Sequence, residues 1–161
     1  HQPAKLAAIE AHWETGSDVP LILFAWPDQS GEKNDFVLEI PHLGSLILTH
    51  SWDGSVQGLK DFPPQDRPPV AIVFWTFRIM VGLGFLMLGA GLLGLWLRAT
   101  GRLYDSRWFH RFMVVMLPSG FVAVIAGWFT TEIGRQPWVV QGILRTADAL
   151  SPVGGGSVLT A

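Results

Sequence analysis

At 161 residues the chain has the length of one soluble domain, but 49% hydrophobic content and a positive mean hydropathy place it among membrane proteins. Cysteine is absent, which excludes disulfides, thiolate zinc sites, cysteine-ligated iron–sulfur clusters and covalent c-type haem attachment within these residues. The net charge of −2 averages over segments of opposite sign, no P-loop or dinucleotide glycine pattern occurs, and no nucleic acid is expected as a partner.

Residues 1–15 open with Pro3, a favoured first-turn residue, and continue Ala4-Lys5-Leu6-Ala7-Ala8-Ile9-Glu10-Ala11-His12-Trp13-Glu14, with Gly16 expected to stop the helix. Leu6, Ile9 and Trp13 fall on one stripe, as in an amphipathic helix lying on a membrane or a partner. Lys5 and Glu10 stand about 140° apart around such an axis, so they are not a same-face pair. A ligand touching both would sit across the helix end or against its side.

The polar part spans residues 17–69. Val19 to Trp26, Phe36 to Ile40 and Gly44 to Thr49 read as short strands between turn-rich stretches. Asp61-Phe62-Pro63-Pro64-Gln65-Asp66-Arg67-Pro68-Pro69 reads as a stiff entry to the membrane. Residues 1–69 hold ten acidic and four basic side chains, a charge of −6.

Val70 to Leu97 is long enough to cross a bilayer, and Ile79 to Leu97 carries no charge. Arg78, about two turns inside, costs several kcal/mol unless it snorkels or meets an anion, and is a functional flag. Met80 is a soft donor that haem iron accepts. Met80, Gly84, Met87 and Gly91 share a face; Arg78 points elsewhere. Residues 98–111 carry Arg98, Arg102, Arg107 and Arg111 against only Asp105, which makes this loop cytoplasmic by the positive-inside rule. A second span, Phe112 to Thr131, contains Pro118 and Gly120 and returns the chain to the outer side. There Trp128, Glu132 and Arg135 share a helical face, before Gly134 and Pro137 close the helix. The hairpin thus brings Arg78, Met80, Trp128, Glu132 and Arg135 toward the outer face.

Each of these residues also has a structural reading. Met80 is the type that packs adaptably, the glycines of the first span suit helix packing, Arg78 and Glu132 suit membrane-edge anchors, and Lys5 and Glu10 suit a solvated face. The five histidines lack metal-ligand spacing, and the tryptophans fall mostly at membrane borders. Two spans bury little core of their own, so partner helices are expected. Both ends read as cut, and the chain reads as an internal piece of something longer.

Gly127-Trp128-Phe129-Thr130-Thr131-Glu132-Ile133-Gly134-Arg135-Gln136-Pro137-Trp138 resembles a signature of subunit I of the cytochrome bd-type quinol oxidases. Phe74-Trp75-Thr76-Phe77-Arg78-Ile79-Met80-Val81-Gly82 is similar to that subunit's Phe-Arg-x-Met-x-Gly span, and His1 to Glu10 resembles the start of its quinol-binding loop. The short stretch from Glu10 to Val70 resembles the short-loop, cyanide-insensitive-oxidase-like branch.

The resemblance implies an all-α transmembrane bundle fragment of two spans with an extracytoplasmic quinol loop. Its parts are residues 1–69 outside, 70–97 and 112–131 in the membrane, 98–111 in the cytoplasm, and 132–161 outside, leading to a missing last helix. It implies that Met80 is an axial ligand of a low-spin haem b, with Arg78 near the haem edge or a propionate. Glu132 belongs to the oxygen site of a high-spin haem b and haem d, as ligand to that haem b, with Trp128 and Arg135 around it. Lys5 and Glu10 contact quinol. The implied partners are subunit II, the missing helices of subunit I, ubiquinol or menaquinol, O2 and the lipid of a bacterial inner membrane. The alternative is a non-enzymatic two-span membrane sensor or assembly protein whose arginine and glutamate anchor the helices.

Overall fold

A computed structural model describes residues 2–149. Helix α1 (Pro3–Glu10) begins with proline in its first turn and ends where Ala11 turns left-handed, at φ 52°. It stops well before Gly16, because Asn34 Nδ2 takes the Ala11 carbonyl (2.8 Å) and the Trp13 indole donates to Asn34 Oδ1 (2.9 Å). Its buried face is Ala4, Ala7 and Ala8, while Leu6 is exposed, so the expected Leu6, Ile9 and Trp13 stripe is replaced by alanines. Small side chains there let α1 approach the long helix described below.

Strands β1 (Leu21–Asp28) and β2 (Lys33–Ile40) form an antiparallel hairpin paired Leu21 to Ile40 and Asp28 to Lys33, with a bulge that leaves Phe36 at φ 53°. The aliphatic and aromatic runs favour extended chain, and the Asp28 carboxylate accepts from Ser30 N (3.0 Å) and Ser30 Oγ (2.6 Å) in the turn. Gly44 to Thr49, expected as strand, lies within helix α2 (Leu43–Thr49). Tertiary contact decides this: Ser45 Oγ accepts from buried Val19 N (2.7 Å), and Gly44 lies so close to Pro20 that a Cβ would sit 2.5 Å from its carbonyl oxygen. Short 3-10 turns at Leu59–Asp61 and Pro64–Asp66 carry the proline strap to the next helix.

Helix α3 (Val70–Ala99) has 30 residues, about 45 Å against a hydrocarbon core of about 30 Å. The excess is its first turns: Val70, Val73 and Phe74 are fully buried beneath the loop region, whereas most residues beyond Ile79 are open. Gln29 Oε1, in the hairpin turn, accepts from Val70 N (3.2 Å) and caps this helix. Ala7, Ala8, Ala11, Trp13, Ile22, Ala25 and Leu59 complete the core around Val73 and Phe74. Burying a side chain of Phe74's size contributes about 1.5–3 kcal/mol.

The return path is α4 (Arg107–Val115), a turn at Met116 to Pro118, and α5 (Ser119–Ile133). A turn before Pro118 thus interrupts the helix of the expected second span, Phe112 to Thr131, and that helix starts inside the expected loop. Pro118 has no N–H for the Val114 carbonyl, which takes the Leu117 N–H instead (3.2 Å). Pro64–Ala99 and Arg107–Ile133 are both long and apolar enough to cross a membrane. Small residues form the α3–α5 contact, and the Thr130 hydroxyl donates to that of Thr76 (2.9 Å), which donates to the Ile72 carbonyl (2.8 Å). Strands β3 (Trp138–Val140) and β4 (Leu144–Arg145) form a second small hairpin. The expectation of membrane helices holds for these two stretches; the all-α expectation is corrected by the two hairpins.

Gly58 is a tight crossing, where a Cβ would lie 2.3 Å from the Glu14 carbonyl carbon and 2.5 Å from the Trp13 oxygen. Both are backbone atoms tied by the Leu59 and Lys60 N–H bonds to His12 and Trp13. Gly58→Ala is expected to destabilise the loop region by about 1–3 kcal/mol, read as a lower thermal midpoint of the assembled protein. An unchanged midpoint would show that the crossing can open freely.

Candidate functional site

Two charged clusters flank α1. On one side Arg78 leaves the third turn of α3 and enters the loop core instead of lipid. Its NH2 donates to Glu10 Oε2 (2.8 Å) and its NH1 to the Ile9 carbonyl (2.7 Å). Nε donates to the Ile22 carbonyl (3.1 Å), which NH2 also contacts. The guanidinium lies over the Phe74 ring at 4.2 Å. The side chains of Arg78 and Glu10 are only 13% and 7% exposed, so this is a buried, fully ligated pair. The cost of a charge near the membrane is met by a carboxylate and two carbonyls.

His12 adjoins this pair and was set aside in the sequence for lack of metal spacing. It is buried, with Nε2 2.9 Å from the Pro20 carbonyl. A carbonyl only accepts, so Nε2 carries the proton, and Nδ1 has no partner among the described residues. Burial pushes the His12 pKa down from 6.5, and Arg78 adds to this, against opposing pulls from the Pro20 hydrogen bond, Glu10 and Glu39. A histidine with a depressed folded pKa stabilises fully above 6.5 and loses that contribution as pH falls below it. The thermal midpoint of the assembled protein is therefore expected to fall on acidification below pH 6.5, and His12→Gln to flatten that slope. Identical slopes would sink the assignment. The legible signal was position, two residues after Glu10 and beside an apolar tryptophan.

On the other side Lys5 reaches the C-terminal end of α5, where Nζ donates to the Thr131 carbonyl (3.3 Å) and the stem lies against Gly134. Arg135 NH2 is 3.6 Å from Glu132 Oε1, a loose and largely exposed pair. Burial and then Arg135 lower the Lys5 pKa, with Glu132 opposing. A cleft of about 190 Å³ opens here, lined by Lys5, Phe62, Asp66, Arg135, Gln136 and Trp138 among others. Asp66 is held by Arg145 NH2 (2.6 Å), whose guanidinium covers Trp138, fastening the proline strap to the second hairpin. Thus Lys5 joins Glu132 and Arg135, while Glu10 joins Arg78; α1 separates the two groups.

Met80 is partly buried between the long helices, and a Cβ on Gly127 would come within 2.8 Å of its sulfur. One turn on, a Cβ at Gly84 would meet nothing within 4 Å. Glu132 lies five residues beyond Gly127 along α5, about 8 Å of rise, and its side chain is half exposed, as is Trp128. A thioether beside open helix surface and a carboxylate with only one weak partner are donors that haem iron accepts, so these residues fit such a group.

Taken together, the geometry defines a helical hairpin of membrane-spanning length, one end of which is gripped by a folded loop with buried charge. The chain belongs to the cytochrome bd terminal oxidase subunit I family, whose model matches residues 1–161. It is 40% identical over 169 residues to cytochrome bd ubiquinol oxidase subunit 1 of Bacillus subtilis (strain 168), covering 98% of this chain and 36% of that protein. It is 32% identical over 223 residues to cytochrome bd-II ubiquinol oxidase subunit 1 of Escherichia coli (strain K12), covering 98% and 43%. Among solved structures, the bd oxidase from Geobacillus thermodenitrificans superposes with a TM-score of 0.83 at 33% identity, covering 99% of this chain and 37% of that one. The chain spans less than half the length of these relatives.

Proposed function

We propose that this chain is the part of subunit I of a bd-type terminal oxidase that carries the quinol loop and two haem-bearing helices. The proposed protein oxidises ubiquinol or menaquinol at the outer face of a bacterial inner membrane and reduces O2 to water, together with subunit II. In this arrangement residues 2–69 and 132–149 lie outside and the arginine-rich residues 98–111 lie in the cytoplasm; the expected stretch to residue 161 lies outside the described residues. The observation that carries the reading is that family membership extends over the whole chain, while Met80 and Glu132 stand at the same end of the α3–α5 pair.

Oxidation of one quinol releases two protons and two electrons, and four electrons with four protons convert O2 to two waters. Bound haem supplies one-electron carriers and an oxygen-binding iron. The chain's residues do the rest. Met80 would hold a low-spin haem b through its sulfur, a donor that raises a haem's potential, and Glu132 would hold a high-spin haem b of the oxygen site through its carboxylate. Trp128 and Arg135 pack and donate hydrogen bonds around that carboxylate. Lys5 orients a quinol oxygen from its side of α1; Glu10, held in position by Arg78 on the other side, accepts a proton. Protons released outside and drawn from inside make the reaction electrogenic.

The complete oxidase carrying this sequence is expected to show haem b and haem d absorption and quinol-dependent O2 uptake. An assembled complex with neither absorption would overturn the reading.

A further inference from the structure

At the opposite end of the hairpin, four arginines have no acid to meet. Arg98, Arg102, Arg107 and Arg111 are all exposed, and among the described residues none forms an ion pair. Asp105 is the only carboxylate in this corner, which leaves it at +3 (four minus one). The chain bends here around a cavity of about 480 Å³ lined by Trp96, Arg102, Asp105, Ser106, Arg107 and Trp108 with Leu97. Ser106 Oγ, shut off from solvent, has no hydrogen-bond partner among the described residues. It stands at the start of α4 and makes no side-chain cap to that helix.

Chemistry and position together select the ligand. Two guanidiniums at one cavity match the oxygens of a phosphate, which accept in pairs from arginine. The cavity lies where the apolar run of α3 ends at Leu97, and half-exposed Trp96 and Trp108 stand at its mouth. Indole rings at that level suit the boundary between acyl chains and headgroups. Inside the corner, Phe109 packs against Gly94, at 3.2 Å from a Cβ built there, which holds the start of α4 against α3 and keeps the cavity's two walls together. A freely diffusing anion would use the arginines but not the tryptophans; a lipid uses both.

We propose that the α3–α4 corner binds the phosphate headgroup of an acidic phospholipid. Arg102 and Arg107 hold the phosphate, and Trp96 and Trp108 flank the glycerol and upper acyl chains. Asp105 disfavours a second anion. The site requires only that the two helices cross lipid and is independent of the redox reading.

The test uses the complete oxidase, delipidated in detergent and titrated with phosphatidylglycerol, phosphatidylcholine or inorganic phosphate, with bound lipid counted by native mass spectrometry. Phosphatidylglycerol is expected to be retained in preference to phosphatidylcholine. Arg102→Gln with Arg107→Gln is expected to weaken its retention by about fivefold per arginine, or roughly twenty-five-fold. The single Arg102→Gln variant gives the fivefold step if the double variant does not assemble, and the absorption spectrum reports folding independently. Equal retention of both lipids, or unchanged retention in the variants, overturns the proposal. Displacement of the lipid by inorganic phosphate at equal concentration overturns it in favour of a free phosphate site.

Discussion

Met80→Leu, introduced into the complete oxidase, is expected to abolish the low-spin haem b absorption while the protein still assembles. The substitution conserves volume, which limits its packing cost to below about 1.5 kcal/mol. Leucine can fill the space beside Gly127 as methionine does. What it cannot do is donate a sulfur lone pair. A graded variant separates ligation from packing: Gly127→Ala puts a methyl 2.8 Å from the Met80 sulfur, and the flexible Met80 side chain must shift. That variant is expected to keep the absorption and displace the haem's midpoint potential. An unaltered low-spin spectrum in Met80→Leu would remove Met80 from the ligand set, whatever the turnover.

The second large effect is expected at Arg78. Arg78→Met leaves the Glu10 carboxylate buried beside two carbonyls that have lost their donor, and removing one partner of a buried pair costs about 3–5 kcal/mol. Glu10→Gln keeps shape and hydrogen bonding and is expected to cost less. The double variant is expected to be more stable than the sum of the single changes predicts, by about 0.5–3 kcal/mol. Measured by thermal unfolding of the assembled oxidase, simple additivity of the two single changes would show that the pair is not coupled. This cycle also governs how quinol kinetics are read. Glu10→Ala is expected to lower turnover both by removing a proton acceptor and by stranding Arg78, whereas Glu10→Gln removes the acceptor and the counter-charge but keeps an oxygen to accept from Arg78. A loss of turnover in Glu10→Gln with an unchanged melting temperature therefore isolates the chemical role.

Local segments of this sequence carried much of the architecture. Nineteen residues without charge from Ile79 to Leu97 leave little alternative to a helix in lipid, because neither water nor an open strand can satisfy that backbone there. Likewise the runs around Phe24 and Val37, with Asp28 and Ser30 between them, encode a hairpin in their own turn chemistry. The motifs around Met80 and Glu132 were readable because they are contiguous.

Tertiary structure alone decided the partnerships. Glu10 and Arg78 are 68 positions apart, and no periodicity within either helix announces that one neutralises the other. The aliphatic run Leu43–Thr49 has the composition of a strand, and it becomes helix because Gly44 and Ser45 close on Val19 and Pro20. Pro118 can kink a span or break it, and only the carbonyls and neighbours around it choose. The division has one cause: hydrophobic period and turn chemistry act over a few residues, whereas the placement of buried charge depends on which distant segments the folded chain brings into contact.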